Sequence, residues 1–306
     1  MTDLSIALDR YLSVRRALGY KLQSQELRLR RFVAFMAERG ATVITARLAA
    51  EWSDSQCGPS TWGSRLATVR AFARHVALTD PRTEIPPSGV FPAQRRPRPY
   101  IYTEAQVADL IAAMSDLHPT GLQARTYQCF FGLIATSGLR FSEAADLRRP
   151  DVDLADGVLI IRETKFGKSR IIPLHESTTR ALRRYADERD RCPRRRAGAF
   201  FFTGDRGAKL NHTNAHKTFV DWTRLAGLRR PGEPAGPRIH DLRHTFAVRT
   251  LTAWYAAGED IERRLPELTT YLGHTHSDDT YWYLSACPEL LDHARARLEA
   301  RWETAA

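Results

Sequence analysis

The sequence predicts a mainly α protein with a small antiparallel β-sheet, built as a helical N-terminal domain followed by a larger α+β domain. Three observations carry this. Apolar residues recur at helical spacing along most of the chain, beginning with Leu4, Leu8, Tyr11 and Leu12. One β-rich run, Val158 to Ile161, is followed by a glycine-bearing turn and a second run at Ile171 and Ile172. A single proline- and arginine-rich stretch, residues 92–99, interrupts the helical pattern.

Residues 1–91 form the helical domain. Phe32, Phe35 and Met36 mark a second helix, closed by Gly40. Ser60, after Gly58 and Pro59, is the expected N-cap of a third. Its apolar stripe is Leu66, Val69, Phe72, Ala73 and Val76; Arg70 and Arg74 lie off that stripe, four residues apart. Such a pair either solvates an exposed face or follows a polyanionic backbone. Residues 92–100 are the linker, where prolines with Arg95 and Arg96 favour an extended basic strap over a helix. Residues 101–306 form the second domain. Thr103 and Glu104 start a helix carrying Val107, Leu110, Ile111 and Met114. Another apolar helix over 127–136 ends at Ser137 and Gly138. The hairpin follows, with Phe166, Gly167 and Lys168 at its turn. The rest is again helical, through 246–255 to an amphipathic tail over 288–302.

The 306 residues carry a net charge of +11, most of the basic residues being arginine. The first 100 residues hold 16 Lys and Arg against 8 Asp and Glu, so the N-terminal third carries most of the excess. A basic surface of this kind favours a polyanion, nucleic acid first. Cys57, Cys129, Cys192 and Cys287 are far apart and form no CxxC pair, which argues against a disulfide framework or a zinc site. No run approaches a membrane span, and the first residues do not read as a secretory signal. A cytoplasmic protein with no membrane partner is expected.

Five segments of the second domain carry groups suited to phosphate chemistry, and each alone has a plainer explanation. In TSGLRFSE, Arg140 follows a glycine turn with Glu143 on the same helix face, which could equally be a surface ion pair. Lys165 and Lys168 flank the hairpin tip, as in many polar turns. In HDLRH, His240 and Arg243 share a helical face and can reach one phosphate. The rival reading makes His240, Asp241 and His244 a metal site, but the HExxH glutamate is missing and no third ligand motif is evident. His244 is equally suited to a structural role. Gly273 fits a helix end with His274 just beyond it. Tyr281, Trp282 and Tyr283 form an aromatic cluster of the kind that usually packs a core.

Together and in this order, the segments resemble the tyrosine recombinase (phage integrase) family, with specific motifs from about residue 100 to 290. Over the first ninety residues the similarity is only that of a basic helical core-binding domain. The resemblance implies two domains that clamp DNA, and a catalytic set of Arg140, Lys165, His240, Arg243, His274 and Tyr283. In that set the two arginines clamp the scissile phosphate, and their guanidiniums stay protonated while charge gathers on its oxygens. Tyr283 is the nucleophile. Its phenol has a pKa near 10 and needs both a proton acceptor and a cationic pocket. His240 accepts or relays that proton, His274 contacts phosphate or steadies the tyrosine, and Lys165 protonates the departing 5′-oxygen.

The implied function is site-specific recombination for integration, excision or transposition, through a 3′-phosphotyrosyl intermediate, without metal, cofactor or ATP. The implied partners are duplex DNA at a specific site and three further copies of the chain in a tetrameric synapse, with a monomer or weak oligomer off DNA. Bound to DNA, the protein would sit on the bacterial nucleoid. The alternatives are a type IB topoisomerase-like relaxation activity and a non-catalytic DNA-binding accessory factor. The family's spacing after the LGH histidine favours Tyr283 over Tyr281, and its spacing from Arg140 favours Lys165 over Lys168. Arg70, Arg74, Arg95, Arg96 and Lys168 are the expected further DNA contacts. The segment from Gly258 to Gly273 reads about one helical turn longer than in many members.

Overall fold

The structure is a computed structural model that describes residues 3–55, 58–92, 98–118, 121–162, 169–193, 198–204, 207–230, 232–233 and 236–286, with Arg295, Glu299 and Trp302 beyond them. Lys165, Lys168, Arg95, Arg96 and most of the 288–302 tail lie outside the described residues. The chain divides into two compact units, Met1–Pro97 and Arg98–Ala306.

The first unit packs α1 (Leu4–Ala17), α2 (Gln23–Glu38), α3 (Ala46–Ser55) and α4 (Trp62–Val76) around one core. Asp3 caps α1, its side chain accepting from the backbone of Ser5 and Ile6. Leu8, Leu12, Phe32, Met36, Trp52 and Phe72 are buried at its centre, and each such side chain is worth about 1.5–3 kcal/mol of transfer free energy. Ser60 does not cap the third expected helix. It lies within a 3-10 turn, Pro59–Thr61, and α4 begins after it. Pro59 presets a helical φ, so the turn starts there. Arg70 is held inside the unit: its Nε and Nη2 donate to the Pro86 and Pro87 carbonyls, both at 2.6 Å. Arg74 is exposed on α4.

The second unit begins with α5 (Glu104–Leu117), where Thr103 and Gln106 form a reciprocal capping box. The apolar α6 (Leu122–Ser137) runs through the core and ends at Gly138, φ +62°. A Cβ there would lie 2.6 Å from the Phe246 ring, so both the turn and the packing require glycine. The short α7 (Phe141–Asp146) follows directly. Three strands, β1 (Val152–Asp153), β2 (Val158–Ile161) and β3 (Arg170–Pro173), pair antiparallel in that order. Leu159 faces Ile172 and Ile161 faces Arg170 across β2 and β3.

Five further helices follow among the described residues: α8 (Glu176–Asp190), α9 (His212–Leu225), α10 (Ile239–Ala256), α11 (Ile261–Leu272) and α12 (Asp278–Ala286). The main core gathers Phe130, Phe131, Tyr185, Phe202, Phe219 and Trp222. A second cluster joins α10, α11 and α12 through Val248, Leu251, Leu265, Leu268, Leu272 and Tyr283. This smaller cluster packs the three helices against one another; His240 and Arg243 stand on α10, His274 follows α11 and Tyr283 lies on α12. No helix among the described residues is long and apolar enough to cross a membrane.

Candidate active site

Arg140 is the residue before α7, in extended conformation. Its backbone N–H donates to Glu143 Oε2 at 3.0 Å and its Nη1 to Oε1 at 2.7 Å, so Glu143 orients it as the helical spacing suggests. Its Nη2 donates to the Gly273 carbonyl at 2.8 Å and its Nη1 more weakly to that of Leu272 at 3.4 Å. Arg243, buried on α10, donates from Nη2 to the same Leu272 carbonyl and from Nη1 to that of Gly138, both at 2.7 Å. Two guanidiniums thus meet at the C-terminal end of α11. The last carbonyls of a helix lack intrahelical partners and form the negative end of its dipole, which is why cations collect there. Burial, followed by the nearby Arg140, pulls the Arg243 pKa down to about 10, so Arg243 remains cationic at neutral pH.

A third arginine completes this arrangement. Arg170 Nη1 and Nη2 donate to the two Glu143 oxygens at 3.1 and 2.8 Å, and its Nε to the Tyr271 carbonyl at 2.8 Å. Burial alone would raise the Glu143 carboxyl, but Arg170 above all, with Arg140, holds it below the usual carboxylate range. Sequence reasoning passed over Arg170. The available signal was strand alternation: Arg170 lies two positions before the buried Ile172 and shares its face, an unusual place for a lone cation. At Gly273, φ +66°, a Cβ would come within 2.6 Å of the Arg170 guanidinium.

His274 emerges just past Gly273. Its Nδ1 is 2.7 Å from Thr280 Oγ1, which also pairs with Thr269 Oγ1 at 3.0 Å. The His274 ring lies parallel to that of Tyr283, 6.3 Å between centroids. Tyr283 is 1% exposed, whereas Tyr281 on the other side of α12 is 48% exposed. The Tyr283 hydroxyl lies 2.9 Å from Nδ1 of His244. His240 stands edge-on to His244, 4.6 Å between centroids. By surface area His240 is exposed, yet crowding by protein atoms, followed by the Arg243 charge, brings its pKa down to about 4. Burial and the arginine charges act in the same direction and outweigh Asp241, so this ring is neutral near pH 7. Asp241 is not turned toward the histidines, because its carboxylate accepts from Arg238 Nη2 and from the Arg238 backbone, each at 2.8 Å.

The structure therefore brings Arg140, Arg243, His240, His274 and Tyr283 together within the second unit. Each guanidinium has five N–H donors, and among the described residues the acceptors named above use only part of each set. The remaining donors suit a tetrahedral anion.

The profile of the phage integrase family matches residues 101–289. A protein of Sinorhizobium fredii named as an integrase/recombinase, y4rB, is 44% identical over 99% of both chains. A second from the same organism, y4rE, is 37% identical over 95% of this chain and 94% of its own. Among solved structures, the Tn1549 transposon integrase in complex with circular intermediate DNA superposes with a TM-score of 0.67 at 19% identity, covering 95% of this chain and 98% of that one. The XerH recombinase bound to its difH substrate gives 0.60 at 19% identity, over 92% of this chain and 80% of that one. The chain belongs to the phage integrase family and is a tyrosine recombinase by class, an enzyme of site-specific DNA recombination.

Proposed function

We propose that the chain recombines the ends of a mobile DNA element, cleaving and rejoining duplex DNA through a 3′-phosphotyrosyl bond to Tyr283. The observation that carries this reading is the convergence of Arg140, Arg243 and His274 with Tyr283 around the end of α11. In this reading the free donors of Arg140 and Arg243 bind the nonbridging oxygens as charge grows on them. His240, neutral beside Arg243, and His274 add hydrogen bonds to the phosphate. Lys165 gives a proton to the 5′-oxygen as it leaves. The phosphodiester energy is kept in the tyrosyl link, so rejoining needs no ATP, and the arginines do the work for which other nucleases use divalent metals.

The relatives named as integrases and the transposon integrase structure support a mobile-element role. The charge balance of residues 1–100 supports a DNA-binding role for the first unit, which with the second would close around the duplex, Arg74, Arg95 and Arg96 reaching its backbone and Lys168 adding a contact near the cleavage point. Arg70 is a weaker candidate, since two carbonyls already hold its guanidinium. Four protomers would form the synapse, acting in the cytoplasm on nucleoid DNA.

The test starts with a recognition site selected by the wild-type protein from a random-sequence duplex pool. A nicked suicide duplex carrying that site is then incubated with protein in EDTA. Wild type and Tyr281→Phe should form a covalent protein–DNA adduct, and Tyr283→Phe none. An adduct with Tyr283→Phe would refute the assignment of the nucleophile.

A further inference from the structure

His244 was the residue of the HDLRH segment with the least evident purpose. It is buried, and its ring is packed edge-to-face or tilted against His240, Trp282 and Tyr283. These neighbours fix the imidazole so that Nδ1 points at the Tyr283 oxygen, 2.9 Å away. The contact spans 39 residues and depends on the packing of α10 against α12. His240 is one turn earlier on α10, its ring edge-on to that of His244. The charged groups acting on His240 are Arg243, Asp241, Arg238 and Arg140, and the His274 ring lies parallel to that of Tyr283.

We propose that His244 is the proton acceptor for the Tyr283 phenol, a catalytic role that rests on the reading of Tyr283 as nucleophile. Before the step the His244 imidazole is neutral, with its proton on Nε2 and Nδ1 accepting from the phenol. The phenol O–H bond breaks and its proton bonds to Nδ1, giving an imidazolium. The Tyr283 oxygen bonds to phosphorus as the bond from phosphorus to the 5′-oxygen breaks. That oxygen takes a proton from the acid on the leaving-group side, for which Lys165 is proposed. Rejoining returns each proton by the same route. His240 is the poorer acceptor, since its surroundings leave it hard to protonate. It is better suited to a neutral hydrogen bond and to bracing the His244 ring.

The test uses the full chain and two versions of the nicked suicide duplex, one with the ordinary phosphodiester and one with sulfur in place of the bridging 5′-oxygen. A thiolate leaves without being protonated, so the sulfur duplex removes the need for an acid but not for a base. His244→Asn keeps a polar group near Nδ1 that cannot take a proton. It should bind the intact duplex like wild type and form adduct about 100-fold more slowly, or worse, on both duplexes. A wild-type adduct rate in His244→Asn overturns the proposal, and so does a loss that the sulfur duplex repairs.

A second measurement keeps the chain intact at 244. In wild type labelled with 15N-histidine, one imidazole should show N–H on Nε2 and an unprotonated, hydrogen-bonded Nδ1 whose resonance moves in Tyr283→Phe. A protonated Nδ1 at that position overturns the proposal without any substitution of His244. If Tyr283→Phe itself still forms adduct, the nucleophile assignment fails. If only His244→Asn behaves as wild type, that assignment stands and His244 loses its role.

Discussion

Replacing Glu143 by alanine should both destabilise the second unit and disable the site. The Glu143 carboxylate is buried and accepts from Arg170 twice, from Arg140 Nη1 and from the Arg140 backbone. Its side chain is 7% exposed, that of Arg170 11% and that of Arg140 31%. Glu143→Ala leaves Arg170 with an uncompensated buried charge, and breaking a buried pair in this way costs about 3–5 kcal/mol. The partly exposed Arg140 can recover some hydration, so the lower end, about 3 kcal/mol, is the better expectation. For a unit of this size that is a Tm lower by roughly 6–12 °C. Arg140 also loses what orients it, and a misplacement of about 1 Å at a reacting centre costs on the order of 100-fold in rate.

Thermal unfolding and the adduct assay read these two effects separately. The carboxyl's pKa is depressed in the folded state, so its contribution is present above the ordinary carboxylate pKa and is lost as pH falls through the lower folded value. Glu143→Gln should therefore lose part of the acid sensitivity of wild type. A Glu143→Ala protein within about 2 °C of the wild-type Tm and with an unchanged adduct rate would refute the argument, because breaking a buried pair cannot cost so little.

Other predictions follow from single contacts. Gly273→Ala forces a Cβ onto the Arg170 guanidinium and an L-residue into the left-handed region, at about 1–2 kcal/mol for the backbone alone; thermal unfolding and adduct formation should both suffer. His240 titrates well below its ordinary value, so the unfolded chain binds the proton more readily and stability falls as pH drops from about 6.5 toward the folded value; urea unfolding at two pH values should show a smaller loss for His240→Gln. Burial pushes the Cys129 thiol up to about 12, so a thiol reagent at pH 8 should label it only when the chain unfolds.

The sequence by itself was sufficient for everything that depends on local periodicity. Leu66, Val69, Phe72 and Val76 fall on one side of a helix because of the 3.6-residue repeat, and that side is buried. The β-rich run ending at Ile161 had to pair with the run beyond the turn, and β2 and β3 are those strands. Arg140 and Glu143 lie three apart on one helical turn, so their ion pair could be read from spacing. The order of the motifs was enough to indicate the family.

What spacing could not supply was the relation between elements far apart in the chain. Arg70 stood off its helix's apolar stripe and looked free to meet DNA, but the backbone of Pro86 and Pro87 returns beside it and takes its donors. Arg170 became part of the site because β3 carries it to Glu143 and to the end of α11. The resemblance gave the proton-accepting role to His240 and none to His244, one helical turn on. Only the packing of α12 on α10 brings the Tyr283 hydroxyl to His244. Local sequence sets which residues share a face, because backbone geometry repeats. Which faces meet is decided by burying apolar surface across the whole domain, and here that burial, through Val248, Leu268, Leu272 and Tyr283, places the phenol beside its partner.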